Sequence, residues 1–342
     1  MTLLKKTLKN RFFYFSSILL FIGILIGVLI GYFGNNYFSS QNSNSNSFLD
    51  SSSEFHAGGY SFINPLYECN TGQSFGTKEL SSLKSEINSY INQLTASNSV
   101  TSVAVYYRDL NNGPWFGINE NTDFAPSSLL KVPVMMAYFR EAESNPAILE
   151  QKIKYSSQLS GVIPQNFAPK TPIVLGKTYT AEELIERMII GSDNAALGLL
   201  EDNIDGSKID QVTLDLGITT ATDATPTDFM NVQEYAILFR VLYYSTYLNR
   251  DYSEKALELL AQAEFKQGLV DTLPKNIPVA HKFGERELGN GIHQLHDCGI
   301  IYYPKRPYLL CVMTKGPNFN DLAKTIQQIS DKIYKEALKM YH

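Results

Sequence analysis

Apolar residues recur every three or four positions between Lys78 and Leu94, at Leu80, Leu83, Ile87, Ile91 and Leu94, which predicts a helix with one buried stripe. Val100 to Tyr107 is β-branched and aromatic, and Asn111-Asn112-Gly113 turns the chain into Trp115-Phe116-Gly117-Ile118, a hairpin. A long helical stretch follows: 128–143, 181–190, 194–202, 231–246 and 253–262. Strand character returns at 277–283, 296–303 and 308–314, the last two joined by Pro304-Lys305-Arg306-Pro307, and an amphipathic helix spans 321–341. Helix, two strands, helices, three strands, helix: this order predicts an α/β (α+β) domain. One sheet is built from both ends of the chain, with an all-α block inserted between them.

The N-terminal pattern is different. Phe12 to Phe33 is 22 residues without a charge, long enough as a helix to cross a ~30 Å hydrocarbon core. Lys5, Lys6, Lys9 and Arg11 precede it and no charge follows until Asp50, so residues 1–11 read as a basic cytoplasmic tail. Residues 12–33 then form an uncleaved single-pass anchor in the cell membrane, with the body extracytoplasmic. The alternative is a cleaved secretory signal, whose apolar region is shorter and ends in a small-residue cleavage site. Residues 34–58, rich in Ser and Asn, predict a tether too poor in apolar surface to order itself, and the folded body is expected over 60–342.

Of the residues, 44% are hydrophobic and 12% aromatic, which excludes a disordered chain. Taking the four bases of the tail from the 29 present leaves 25 against 34 acids, a net −9, unsuited to binding nucleic acid. Three cysteines, Cys69, Cys298 and Cys311, are too few for a disulfide scaffold. Cys298 and Cys311 fall on neighbouring predicted strands, where they could pair or serve as small buried hydrophobes. His293, His296 and Cys298 suggest zinc, but strand residues three apart face opposite sides and no fourth ligand follows, so no metal or cofactor is expected.

Three short signals carry chemistry. Ser128-Leu129-Leu130-Lys131 opens a helix, Ser192-Asp193-Asn194 lies between two helices, and Lys282-Phe283-Gly284 ends a strand. A serine and a lysine three apart on a helix share a face. A serine hydroxyl needs a neighbouring base to attack, and a desolvated lysine beside a second cation, such as Lys282, can be that base. Pro133 deprives the Leu129 carbonyl of its helical partner, a local conflict near the helix start.

With these three signals in this order, residues 78–342 resemble the class A β-lactamases and the related penicillin-binding serine hydrolases, whose signature is S-x-x-K, S-D-N and K-[ST]-G. Supporting details are the Trp115 hairpin, Thr180-Ala181-Glu182-Glu183-Leu184, Ala224-Thr225-Pro226 and the strand Tyr308–Thr314. The resemblance implies a five-stranded antiparallel sheet flanked by helices plus the inserted all-α subdomain. It implies catalytic roles for Ser128, Lys131, Ser192 and Lys282, and substrate binding by Asn194, Phe283, Gly284 and Glu285. The backbone N–H groups of Ser128 and Glu285 would form the oxyanion hole, Ser192 would pass a proton to the leaving nitrogen, and Gly284 would let a substrate backbone approach the strand.

Two departures qualify it. The family's lactamases deacylate through a glutamate on an Ω-loop, whereas Asn203–Ala224 contains Asp205, Asp210, Asp215 and Asp223 but no glutamate. The loop reads as truncated and deacylation as slow, with Asp223 either a substitute base or a structural residue. Phe283 stands where the family has a hydroxyl near the substrate carboxylate. Glu285 adds repulsion there, which Arg286 could offset bidentately. The expected function is a membrane-anchored serine β-lactamase, acting on β-lactam amides through an acyl-enzyme and conferring antibiotic resistance. The alternatives are a D,D-peptidase-type penicillin-binding enzyme on D-Ala-D-Ala-like stem peptides, and a low-turnover peptidoglycan-binding module.

Overall fold

The computed structural model describes residues 54–56, 59–64, 66–69, 78–111, 114–158, 165–220 and 226–341. The expected tail, the anchor and most of the tether lie outside the described residues, as do Asp223, Ala224 and Thr225. Among the described residues no helix is long and apolar enough to cross a membrane. Glu54–His56 (β1), which the sequence placed in the tether, pairs antiparallel with Leu66–Cys69 (β2).

The central element is a five-stranded antiparallel sheet of β3 (Ser102–Asp109), β4 (Trp115–Ile118), β7 (Val279–Gly289), β8 (Ile292–Ile301) and β9 (Tyr308–Gly316), in the order β4-β3-β9-β8-β7. Pairing of β3 with β9 joins the two ends of the domain, from Ser102 opposite Lys315 to Asp109 opposite Tyr308. Alternation along each strand divides the apolar side chains between two cores. Val103, Val105, Tyr107, Leu310 and Val312 face α1 (Lys78–Ala96) and α9 (Phe319–Tyr341). Ala104, Tyr106, Leu309, Cys311 and Met313 face the inserted helices.

The insertion contains α2 (Lys131–Ala142), α3 (Ala147–Glu150), a small hairpin of β5 (Lys152–Lys154) and β6 (Thr178–Thr180), then α4 (Ala181–Ile190), α5 (Asn194–Glu201), α6 (Gly206–Asp215), α7 (Val232–Tyr243) and α8 (Arg250–Ala261). Starts are set by side-chain caps: Thr180 and Glu183 form a capping box on α4, and Asn231 with Glu234 does the same on α7.

Three expectations change. The helix over 128–143 is a 3-10 turn, Ser127–Leu130, followed by α2. The break follows from Pro133, which has no N–H for the Leu129 carbonyl; the buried Tyr235 hydroxyl donates to that carbonyl instead at 3.1 Å. The supposed loop 203–224 contains α6, capped by Asp205, whose carboxylate accepts the Ser207 N–H at 3.0 Å. The β7–β8 hairpin also extends well past the predicted strands, turning through Gly289, Asn290 and Gly291, all with positive φ.

Candidate active site

Ser128 lies in the 3-10 turn between the sheet and α2, and two strained residues frame the site. Ser127 has φ +52° and Ser192 φ +59°, left-handed values that a side chain makes costly and that only surrounding structure maintains. Gly284 on β7 faces the Ser128 turn. A Cβ there would stand 2.8 Å from the Pro126 carbonyl oxygen and 3.0 Å from Leu129 Cγ. Its missing side chain therefore lets the nucleophile turn sit against the strand.

Lys131 is fully buried, and its Nζ lies 3.0 Å from Ser128 Oγ, 3.0 Å from Ser192 Oγ, 2.6 Å from the Ser192 carbonyl and 2.7 Å from Asn194 Oδ1. Four oxygens surround an amine that has two hydrogens and one lone pair when neutral, so in that form it can accept the Ser128 O–H and donate to two of the other three. Burial lowers its pKa to about 7, against the raising influence of Asp193, Glu285 and Glu201. Lys282, also buried, donates to Ser192 Oγ at 2.9 Å and to the Phe283 carbonyl at 3.0 Å, with Nζ 4.4 Å from the centre of the Phe283 ring. Burial first, and then the Lys131 charge, hold its pKa well below the ordinary lysine range. Ser128, Lys131, Ser192 and Lys282 thus form one hydrogen-bonded chain, with Asn194 attached to it.

Asp193 sets the geometry of the Ser192 turn. One carboxylate oxygen accepts the N–H groups of Ala195 (2.8 Å) and Ala196 (3.1 Å), capping α5, and the other accepts the Ile173 N–H at 2.8 Å. Sequence reasoning missed a neighbour here: Gln165 Nε2 donates to the Ser192 carbonyl at 2.9 Å. The same segment meets β7, because the Glu285 carboxylate accepts the N–H groups of Asn166 (3.1 Å) and Phe167 (2.9 Å). Glu285 is therefore engaged as a strap anchor between β7 and residues 166–167. Phe283, expected beside a substrate carboxylate, is 4% exposed, stacked on Phe265 at 4.2 Å and edge-on to Phe167 at 5.9 Å. Arg286 pairs in register with Gln294 of β8.

Behind the turn, Ala125 is held at both backbone groups. Its N–H donates to Gln294 Oε1 at 2.9 Å, and its carbonyl lies 3.1 Å from His296 Nε2. The Thr314 N–H donates to His296 Nδ1, which leaves the ring proton on Nε2 for the Ala125 carbonyl. Burial lowers the His296 pKa to about 4. Gln294 Nε2 in turn donates to Asp228 Oδ1, and Lys315 neutralises Asp228 at 2.9 Å. His293 lies elsewhere, against Phe319 at 4.5 Å between ring centres. His281 Nδ1 donates to Asp297 Oδ1 at 2.9 Å, both fully buried. Cys298 and Cys311 stand directly opposite on β8 and β9, with Cα atoms 4.0 Å apart, and form a disulfide.

An antiparallel five-stranded sheet interrupted by a helical insertion, with a serine hydroxyl wired to two buried amines at their junction, defines the class as a serine hydrolase that works through an activated nucleophile. Known proteins share both fold and sequence. Over 267 residues the chain is 27% identical to beta-lactamase VEB-1 of Pseudomonas aeruginosa, covering 73% of this chain and 86% of that one. A class A beta-lactamase from Mycobacterium abscessus superposes with TM-score 0.64 at 22% identity, covering 74% of this chain and 99% of that one. PBP-A, a point mutant of which was captured as an acyl-enzyme complex with penicillin G, superposes with TM-score 0.64 at 20% identity, covering 76% and 97%. Residues 83–337 match the beta-lactamase enzyme family, and the chain belongs to that family as a class A β-lactamase-like serine hydrolase.

Proposed function

We propose that this hydrolase opens the amide of β-lactams through an acyl-enzyme on Ser128, outside the cytoplasm and tethered by residues 12–33. The observation that carries the reading is the convergence of Ser128 Oγ, Lys131 Nζ, Ser192 Oγ and Lys282 Nζ within hydrogen-bond distance. Neutral Lys131 takes the Ser128 proton as the oxygen attacks the carbonyl carbon. The N–H groups of Ser128 and Glu285 hold the developing oxyanion, and β7 as an edge strand leaves backbone N–H groups available for such a use. Ser192 gives its proton to the leaving nitrogen and is reprotonated from the lysines, which leaves an ester on Ser128 that water then hydrolyses. The acyl-enzyme captured in PBP-A and the β-lactamase names of the other relatives support this chemistry.

One observation favours a second reading, a D,D-peptidase-type penicillin-binding enzyme acting on stem peptides. Residues 203–224 contain no glutamate, so this interval does not supply the carboxylate with which the family's lactamases deacylate. A missing general base slows a step by ~10²–10⁴-fold, so the ester on Ser128 would persist. Incubating the full chain with a chromogenic cephalosporin and with a fluorescent penicillin, beside Ser128→Ala, separates the two. Steady turnover that the variant loses supports a β-lactamase, and a stable label without turnover supports the penicillin-binding enzyme. If wild type neither labels nor turns over, both fail.

A further inference from the structure

A short strap joins the two walls of the Ser128 site. Gln165, Asn166 and Phe167 run from the Ser192 turn to the edge strand β7. The Glu285 carboxylate receives the Asn166 and Phe167 N–H groups. The centre of the Phe167 ring lies 4.9 Å from that of Phe265, 5.9 Å from that of Phe283 and 6.1 Å from that of Phe319. Further along, the Lys170 N–H donates to Glu264 Oε2 at 2.9 Å, and a Cβ on Gly191 would stand 2.9 Å from Pro169 Cβ. The strap is thus fixed at both walls and lies directly on the residue before Ser192. Phe283 and Glu285, which the sequence placed beside a substrate carboxylate, are the residues that seat it on β7.

What the strap delivers is one carboxamide. Gln165 Nε2 lies 2.9 Å from the Ser192 carbonyl oxygen, which can only accept, so the amide nitrogen faces it. The same oxygen accepts from Lys131 Nζ at 2.6 Å, and that amine also reaches Ser128 Oγ and Ser192 Oγ, each at 3.0 Å. The Ser192 φ of +59° is a costly conformation that its surroundings must maintain. Lys131 changes charge when it takes the Ser128 proton, whereas a carboxamide donates in the same way before and after. Gln165 therefore holds the carbonyl through both states of the base. It also competes with the ammonium form of Lys131 for that oxygen, which favours the neutral amine.

We propose that Gln165 is a positioning residue for acyl transfer: its carboxamide holds the Ser192 carbonyl and so keeps Lys131 Nζ and the Ser192 hydroxyl aligned on Ser128. This rests on the reading of Ser128 as the acylated nucleophile. The charged groups that act on Lys131 are Asp193 in the Ser192 turn, Glu201 on α5, and Glu285 and Lys282 on β7, and all are kept in the variants below.

The test is the pH profile of labelling by a fluorescent penicillin, for the full chain and for Gln165→Leu, which keeps the bulk and removes the donor. With the oxygen left to the ammonium form, the Lys131 pKa rises, and the rising limb should move up by roughly 0.5 pH unit. The plateau above it should fall by about tenfold, as for a displaced base. Gln165→Glu, when ionised, lacks the donor and adds a negative charge, so its limb should move further in the same direction. Phe167→Ala removes the aromatic seat but keeps Gln165, and should give a smaller shift of the same sign. Near-UV circular dichroism verifies that each variant folds. A uniform loss of rate with the limb in place, or a wild-type profile in Gln165→Leu, overturns the positioning role while acyl transfer at Ser128 stands. If wild type takes no label beyond that of Ser128→Ala, the acyl-transfer reading fails and the positioning role falls with it.

Discussion

At the scale of single residues, the site depends on how far burial lowers the Lys131 pKa. A base held at about 7 is half neutral at neutral pH, so the rate of acylation should rise with pH through about 7 and level off above it. Asp193 raises that pKa, so Asp193→Asn should shift the rising limb to lower pH, measured by fluorescent-penicillin labelling between about pH 5 and 9. A limb that stays in place would exclude Lys131 as the titrating base. The same change can keep one capping oxygen on α5 but removes the acceptor of the buried Ile173 N–H, with a loss of roughly 1–3 kcal/mol in stability. Ser128, Lys131, Ser192, Asn194 and Lys282 were all legible in the sequence because their chemistry dictates residue types at short, recognisable spacings. Gln294 and His296 were not, since they act on Ala125, about 170 positions away, and only the sheet register brings them there. Phe283 and Glu285 were found as residues but assigned different surroundings. Their partners, Phe265 and the N–H groups of 166–167, come from loops without a periodic pattern.

At the scale of elements, periodicity located most helices and strands, and the misplacements have local causes. The 3-10 turn before α2 arises from Pro133, and its stability depends on a hydrogen bond from another helix. Tyr235→Phe should therefore destabilise the fold by about 1–2 kcal/mol in urea denaturation, since it leaves the buried Leu129 carbonyl short of a donor. No change in stability would mean that the turn satisfies that carbonyl unaided. Helix α6 was overlooked because its Asp, Ser, Gln and Thr residues read as loop, although Ile209 and Val212 mark a buried stripe. The β7–β8 hairpin was cut short because its outer half carries Glu285, Arg286, Glu287 and His293, polar residues that the paired backbone tolerates beyond the cores.

At the scale of the whole molecule, the sheet joins distant parts of the chain. The nucleophile turn follows β4, one cation comes from α2, the other from β7, and the bridge between the two halves of the sheet is β9. A chain ending after Arg306 retains Ser128, Lys131, Ser192 and Lys282 but lacks β9 and α9, and it should neither bind fluorescent penicillin covalently nor give the near-UV circular dichroism of the full chain. Labelling at the wild-type rate would show that the cleft assembles without the bridging strand. Contacts of such large sequence separation form slowly, because the intervening loop must close first. During synthesis, then, the β3–β4 hairpin leaves the ribosome almost two hundred residues ahead of its partner strand. A polypeptide that has passed Lys282 but not yet reached Tyr308 has every group required for attack yet cannot modify its neighbours, and reactivity is delayed until translation is nearly finished.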